Sequence, residues 1–129
     1  MEELATVTVH VVDDDDAVRD SMCVLLESYG ATVELYPSAR AFLERVNMED
    51  GGACLLLDLN MPGMSGIELL GELKKGGDVL PVIAMTGQCD ASVRTKVTDA
   101  GALALLEKPI GEEELVSAIA RAVAGIASY

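Results

Sequence analysis

The 129-residue chain contains no tryptophan, one phenylalanine and one histidine. A lone His10 excludes an H-E-x-x-H zinc motif and any histidine cluster. Cys23, Cys54 and Cys89 form an odd set without C-x-x-C spacing, which points to reduced thiols in a cytosol rather than a disulfide framework. Cations are scarce as well: nine Lys+Arg stand against 22 Asp+Glu, a formal net charge of −13. A surface this acidic repels phosphate backbones and anionic headgroups, so the domain is expected to bind neither nucleic acid nor a membrane directly. No apolar run reaches the roughly 18 residues of a membrane span. Met1-Glu-Glu-Leu4 lacks a basic segment followed by an apolar one, so no secretory signal is read and a cytoplasmic location is expected. Neither G-x-x-x-x-G-K-[ST] nor G-x-G-x-x-G occurs, which removes a P-loop and a dinucleotide fingerprint. Half the residues are apolar, enough to build the core of one compact domain over 1–129.

What the chain does contain is a hydrophobic period that switches repeatedly. Thr6-Val-Thr-Val-His-Val-Val12 alternates and is β-branched, so it reads as a strand. Val18, Met22, Leu25, Leu26 and Tyr29 then recur at helical spacing, preceded by aspartates and closed by Gly30. Thr32–Tyr36 alternates again, and Ser38 caps a helix carrying Phe42, Leu43 and Val46. Ala53–Leu57 and Pro81–Met85 are continuous apolar runs, the pattern of strands buried on both faces. Between them, Ser65-Gly-Ile-Glu68 is a capping box opening a helix with Ile67, Leu70 and Leu73. Asp90–Ala100 reads as a helix stopped by Gly101, Ala102–Leu106 as a short strand, and Glu112–Ala124 as the last helix. Gly51-Gly52 and Gly76-Gly77 read as turns. Five strands alternating with five helices predict a doubly wound parallel α/β sheet with helices on both faces.

Such sheets bind ligands beyond the carboxyl ends of their strands, where strand order reverses. The strand ends carry Asp13-Asp14-Asp15-Asp16, Asp58, Thr86-Gly87 and Glu107-Lys108-Pro109. In the flavodoxin-like order 2-1-3-4-5, Asp13, Asp14 and Asp58 converge on one pocket. Three carboxylates in contact push protons back on, unless a hard cation with oxygen preference resolves the conflict. Mg²⁺ fits, because it accepts one or two carboxylates and keeps open positions for a phosphoryl group. Thr86 and Lys108 add a hydroxyl and an ammonium. Asp15 and Asp16 read as helix caps and dipole partners rather than ligands. His10 reads as a structural strand histidine, Cys89 as a loop thiol, and Met61 and Met64 as packing of the loop after Asp58. An aspartate ending an all-apolar strand is hard to explain structurally, since an unpaired buried charge costs several kcal/mol.

These residues resemble a known family, the receiver domain of bacterial two-component response regulators, with a CheY-like fold. The resemblance spans about residues 7 to 124 and rests on Val11-Val-Asp-Asp14, Leu57-Asp-Leu-Asn-Met-Pro-Gly-Met-Ser-Gly66, Met85-Thr-Gly87, Ala100-Gly-Ala102 and Glu107-Lys-Pro109. Val9-His-Val-Val-Asp-Asp14 with Ala17-Val-Arg19, and Ser38-Ala-Arg-Ala-Phe-Leu43, are similar to the FixJ subfamily. The resemblance implies that Asp58 accepts a phosphoryl group from a sensor histidine kinase. It implies Asp13, Asp14, Asp58 and the Asn60 main-chain carbonyl as Mg²⁺ ligands, and Thr86 and Lys108 as partners of the phosphoryl group. It also implies a Lys108–Pro109 peptide that is commonly cis. The expected result is a conformational switch rather than a turnover enzyme, acting on a downstream protein or on a DNA-binding output domain missing from this chain, with phosphorylation-dependent dimerisation as a further expectation. The alternative, a Mg²⁺-dependent aspartyl phosphohydrolase, wants a second acid two residues after the nucleophile, where Asn60 stands. One position departs from the family: Leu105 occupies the place usual for Tyr or Phe. The expectation is therefore that signalling leans on the loop after Thr86 more than on residue 105.

Overall fold

A computed structural model of the chain describes residues 3–45, 53–75 and 80–125. Val46, the two glycine pairs read as turns, and Ser128-Tyr129 lie outside the described residues. The elements alternate as β1 (Thr8–Val12), α1 (Asp16–Ser28), β2 (Thr32–Tyr36), α2 (Ala39–Arg45), β3 (Ala53–Asp58), α3 (Gly66–Lys75), β4 (Val82–Thr86), α4 (Ala91–Asp99), β5 (Ala104–Glu107) and α5 (Glu112–Val123). All strand pairs are parallel, in the order β2-β1-β3-β4-β5. The doubly wound sheet read from the sequence is therefore the one formed.

Helix boundaries follow side-chain chemistry. The Asp15 carboxylate accepts from the N–H groups of Ala17 and Val18 at 2.9 and 3.2 Å, satisfying two orphan donors at the start of α1. Ser65 and Glu68 close the capping box reciprocally at 3.0 and 3.2 Å. Asp90 caps α4 through Val93 N–H at 2.9 Å. Gly30 and Gly101 end α1 and α4 in the left-handed region, with φ of 94° and 100°.

The period-2 pleat splits each apolar run between two cores. Val9, Val11, Cys54, Leu56, Ile83, Met85, Ala104 and Leu106 face one side, where Leu26 of α1 and Leu115 and Ile119 of α5 cover them. Val12, Leu55, Leu57, Val82, Ala84 and Leu105 face the other, under Phe42 of α2, Leu69 and Leu73 of α3 and Val97 of α4. Burial on both faces is why these runs lack polar alternation. It also pushes the Cys54 thiol up to about 12, so this cysteine is an inert core residue. All three cysteines are free thiols.

Several boundaries differ from the sequence reading. β1 starts at Thr8 because residues 3–6 form a turn, in which Leu4 is fully buried and donates its N–H to the Tyr29 carbonyl at 2.9 Å. The core therefore begins before residue 7. β4 starts at Val82, since Pro81 has no N–H for the ladder, although its carbonyl accepts from Leu55 N–H at 2.9 Å. β5 starts at Ala104 because Ala102 N–H is spent on the Val97 carbonyl that closes α4.

His10 is a core residue. Its Nδ1 lies 3.0 Å from the Tyr36 hydroxyl, and its ring meets Phe42 edge-on at 5.7 Å. Phe42, fully buried, also meets the Tyr36 ring edge-to-face at 5.1 Å. Phe42→Ala removes this ring from the α2 side of the core and is expected to cost about 3–5 kcal/mol of unfolding free energy, as measured by urea denaturation.

Candidate functional site

The C-terminal ends of β1 and β3 are neighbours, with Val12 opposite Leu57. That register sets Asp13 beside Asp58. One carboxylate oxygen from each of Asp13, Asp14 and Asp58 lies within 4.8 Å of the other two. Asp13 is completely buried, Asp58 is 3% exposed and Asp14 faces solvent. The three aspartates expected to converge do so, on an all-oxygen cluster with one open side. Asp15 and Asp16 act as the cap and first-turn acid of α1.

Lys108 enters from the end of β5. Its Nζ is 3.0 Å from Asp13 Oδ2 and 3.5 Å from Asp58 Oδ1, so one ammonium bridges two carboxylates from different strands. The Lys108–Pro109 peptide is cis. Burial alone lowers the Lys108 pKa, but the hydrogen bond and charge of Asp13, with the charge of Asp58, outweigh it and hold the ammonium above its ordinary value. Burial pushes the Asp58 carboxyl above the usual carboxylate range. The Asn60 N–H, bonded to Asp58 Oδ1 at 3.0 Å, opposes that shift, the Asp13 charge adds to it, and Lys108 opposes it.

Thr86 sits on the other side of the cluster. It has the pleat parity of Val82 and Ala84, whereas Asp58 has that of Cys54 and Leu56. Its hydroxyl donates to Asn60 Oδ1 at 3.1 Å, with the Gln88 carbonyl at 3.3 Å as a second acceptor, and accepts from Gln88 N–H at 3.2 Å. The structure thus gathers Asp13, Asp14, Asp58 and Lys108 directly and joins Thr86 to them through Asn60. The following loop is tied to β5, because Cys89 N–H donates to Glu107 Oε2 at 3.3 Å. Met61 is buried and Met64 partly buried against the α3 side of the core, as read. Leu105 is 7% exposed and already packed in that core.

Two residues received no role from sequence reasoning. A Cβ on Gly66 would stand 2.7 Å from the Asp58 carbonyl oxygen and 2.9 Å from Leu59 Cα, so only glycine lets α3 start this close to the end of β3. Its signal was a glycine inside a capping box. The second is Arg19, whose Nη1 donates to the Asp13 carbonyl at 2.5 Å. An apolar groove of about 600 Å³, lined by Val18, Met22, Leu25, Pro109 and Ile110 among others, opens beside Lys108.

A raised carboxyl pKa in the native state means stability that is full below the ordinary carboxylate range and is lost as pH rises through the native value. Ionising Asp58 is therefore a cost in the metal-free protein. Asp58→Asn is expected to raise the thermal midpoint at pH 7 without divalent cations, and the difference should close as pH falls below about 4. Melting curves across pH in EDTA check this.

The profile of the response regulator receiver domain matches residues 9–120. The transcriptional regulatory protein FixJ of Azorhizobium caulinodans is 45% identical over 111 residues, covering 86% of this chain and 52% of that protein. The solved structure of FixJ-N aligns with a TM-score of 0.84 at 36% identity, covering 95% of this chain and 97% of that one. Chemotaxis protein CheY4 of Vibrio cholerae, at 22% identity and a TM-score of 0.78 over 90% of this chain and 98% of its own, shares the fold. The chain spans about half the length of curated relatives it matches, such as FixJ of Azorhizobium caulinodans. With an acidic cluster and a lysine at the strand ends of a 2-1-3-4-5 sheet, and this match over most of its length, the chain belongs to the response regulator receiver domain family of two-component systems.

Proposed function

We propose that Asp58 is the phosphoryl acceptor of a Mg²⁺-dependent switch, charged by a sensor histidine kinase. The observation that carries this reading is the placement of the Asp13, Asp14 and Asp58 carboxylates within 4.8 Å of one another, with Lys108 bridging two of them. The donor set fits Mg²⁺: it is all oxygen, carries more negative charge than one ammonium can neutralise, and is open at Asp14. Asp13, Asp14, Asp58 and the Asn60 carbonyl would hold the ion, which when bound neutralises charge on the phosphoryl oxygens.

An Asp58 carboxylate oxygen attacks phosphorus in line, forming the acyl phosphate. The P–N bond of the phosphohistidine breaks, and its electron pair returns to the imidazole. Lys108, firmly protonated, is placed to follow charge from the free carboxylate onto the phosphoryl oxygens. Asn60 has no acidic proton to offer a leaving group and is tied to Thr86, which favours a switch over a phosphohydrolase. The new dianion offers the Thr86 hydroxyl a stronger acceptor than Asn60 Oδ1. Drawing Thr86 inward breaks its bonds to Asn60 and Gln88 and moves the loop that Glu107 holds at Cys89. The output is a partner protein or an attached DNA-binding segment of the FixJ type, with phosphorylation-dependent dimerisation as one form of response. This mode of action places the protein in the cytoplasm, and among the described residues no helix is long and apolar enough to cross a membrane.

Acetyl phosphate with Mg²⁺ is expected to add one acid-labile phosphoryl group per chain, read by intact mass. EDTA or Asp58→Asn abolishes it, and full labelling of Asp58→Asn refutes the assignment. Leu105→Ala opens a cavity in the α3–α4 side of the core and is expected to cost about 2–5 kcal/mol of stability. Because signalling is assigned to the loop after Thr86, this variant should keep the phosphorylation-dependent gain in partner affinity or dimerisation to within about twofold. A large loss, measured by calorimetry or sedimentation below the melting range, counts against that route.

A further inference from the structure

Between β1 and α1 the chain carries four consecutive carboxylates, Asp13 to Asp16, and one cation reaches back across them. The Arg19 side chain is 14% exposed, although it belongs to a surface helix in the most acidic stretch of the protein. Its Nη1 donates to the Asp13 carbonyl at 2.5 Å and its Nη2 pairs with the Asp16 carboxylate. The guanidinium fork thus ties the first aspartate of the run to the last.

Every oxygen of Asp13 has a donor. Oδ1 takes the Asp15 N–H at 3.0 Å, Oδ2 takes Lys108 Nζ at 3.0 Å, and the carbonyl takes Arg19. That carbonyl belongs to the peptide joining Asp13 to Asp14. Rotating this peptide changes ψ of Asp13 and φ of Asp14 together, and with them the directions in which both carboxylates leave the backbone. Among the described residues, Arg19 is the donor recorded on that carbonyl, while the Asp14 side chain faces solvent.

We propose that Arg19 is a positioning residue for the cation site, holding the Asp13–Asp14 peptide so that both carboxylates face Asp58. The inference rests on the reading of that cluster as a Mg²⁺ site. Its sign separates it from simple electrostatics. A guanidinium this close repels a divalent cation, so if charge were its only contribution, removing it would tighten Mg²⁺ binding. If it positions the ligands, removing it weakens binding despite the more negative site. Groups that orient metal ligands from outside the coordination sphere are typically worth 10–100-fold in affinity.

The test titrates MgCl₂ into the full 129-residue protein and its Arg19→Gln and Arg19→Lys variants, following the Asp14 and Asp15 amide resonances at neutral pH, well below each melting midpoint. Both variants are expected to bind Mg²⁺ about tenfold more weakly. Lysine keeps the charge but cannot serve two acceptors with a planar fork, so it remains informative should the glutamine variant fail to fold. Tighter binding by Arg19→Gln, wild-type affinity in Arg19→Lys, or a lowered melting midpoint with unchanged Mg²⁺ affinity each overturns the proposal. Wild-type protein that shows no saturable Mg²⁺ response overturns the metal reading and this inference together, whereas wild-type binding with unaffected variants overturns only the inference.

Discussion

Negative charge crowded against the carboxyl edge of a parallel sheet is the constraint on which the rest of this molecule turns. Asp13 and Asp58 are taken out of water at adjacent strand ends, where each alone would carry a large desolvation cost. The Lys108 ammonium between them is the counter-charge that makes the arrangement tolerable. It is also incomplete: one cation faces three carboxylates, and the Asp58 carboxyl stays above its ordinary range. A site under such tension is stabilised by added positive charge and by any reaction that disperses the anion.

Pleat geometry distributes the roles. The alternation that sends Leu56 and Leu57 to opposite cores also gives Asp58 and Thr86 opposite parity at the strand ends. Lys108 can therefore grip the acidic side, while Thr86 bonds Asn60 and the loop leading to α4. The Lys108 charge compensation and the Thr86 hydroxyl sit on different faces of the same edge. On the proposed function, phosphorylation of Asp58 would alter one without first dismantling the other.

Under the proposed switch, the side chain at position 105 bears on how the change would travel. Leu105 fills the α3–α4 side of the core, with no hydroxyl to rearrange and no ring to swing. The hydrogen bonds from Thr86 run instead along the chain, through Gln88 and Cys89 to Glu107 at the end of β5. Coupling through a backbone-tethered loop needs no aromatic gate.

The order of elements, the strand faces and the helix caps were legible in the sequence, because each depends on local periodicity or on a side chain reaching its own turn. Asp15, Ser65 with Glu68, and Asp90 were readable as caps for that reason. The buried runs at β3 and β4 declared two covered faces by their lack of polar alternation. Asp13, Asp14 and Asp58 could be nominated as a set once the strand order was assumed. Leu4 escaped the sequence reading because its burial comes from packing in the core with residues such as Leu26 and Tyr29, distant in sequence. The close approach at Gly66, the bridge from Lys108 to two strands, the tie from Thr86 to Asn60 and the Arg19 fork on a backbone oxygen were decided by tertiary structure alone. Each joins atoms whose separation is set by strand register and helix packing, quantities that residue type and spacing along the chain do not encode.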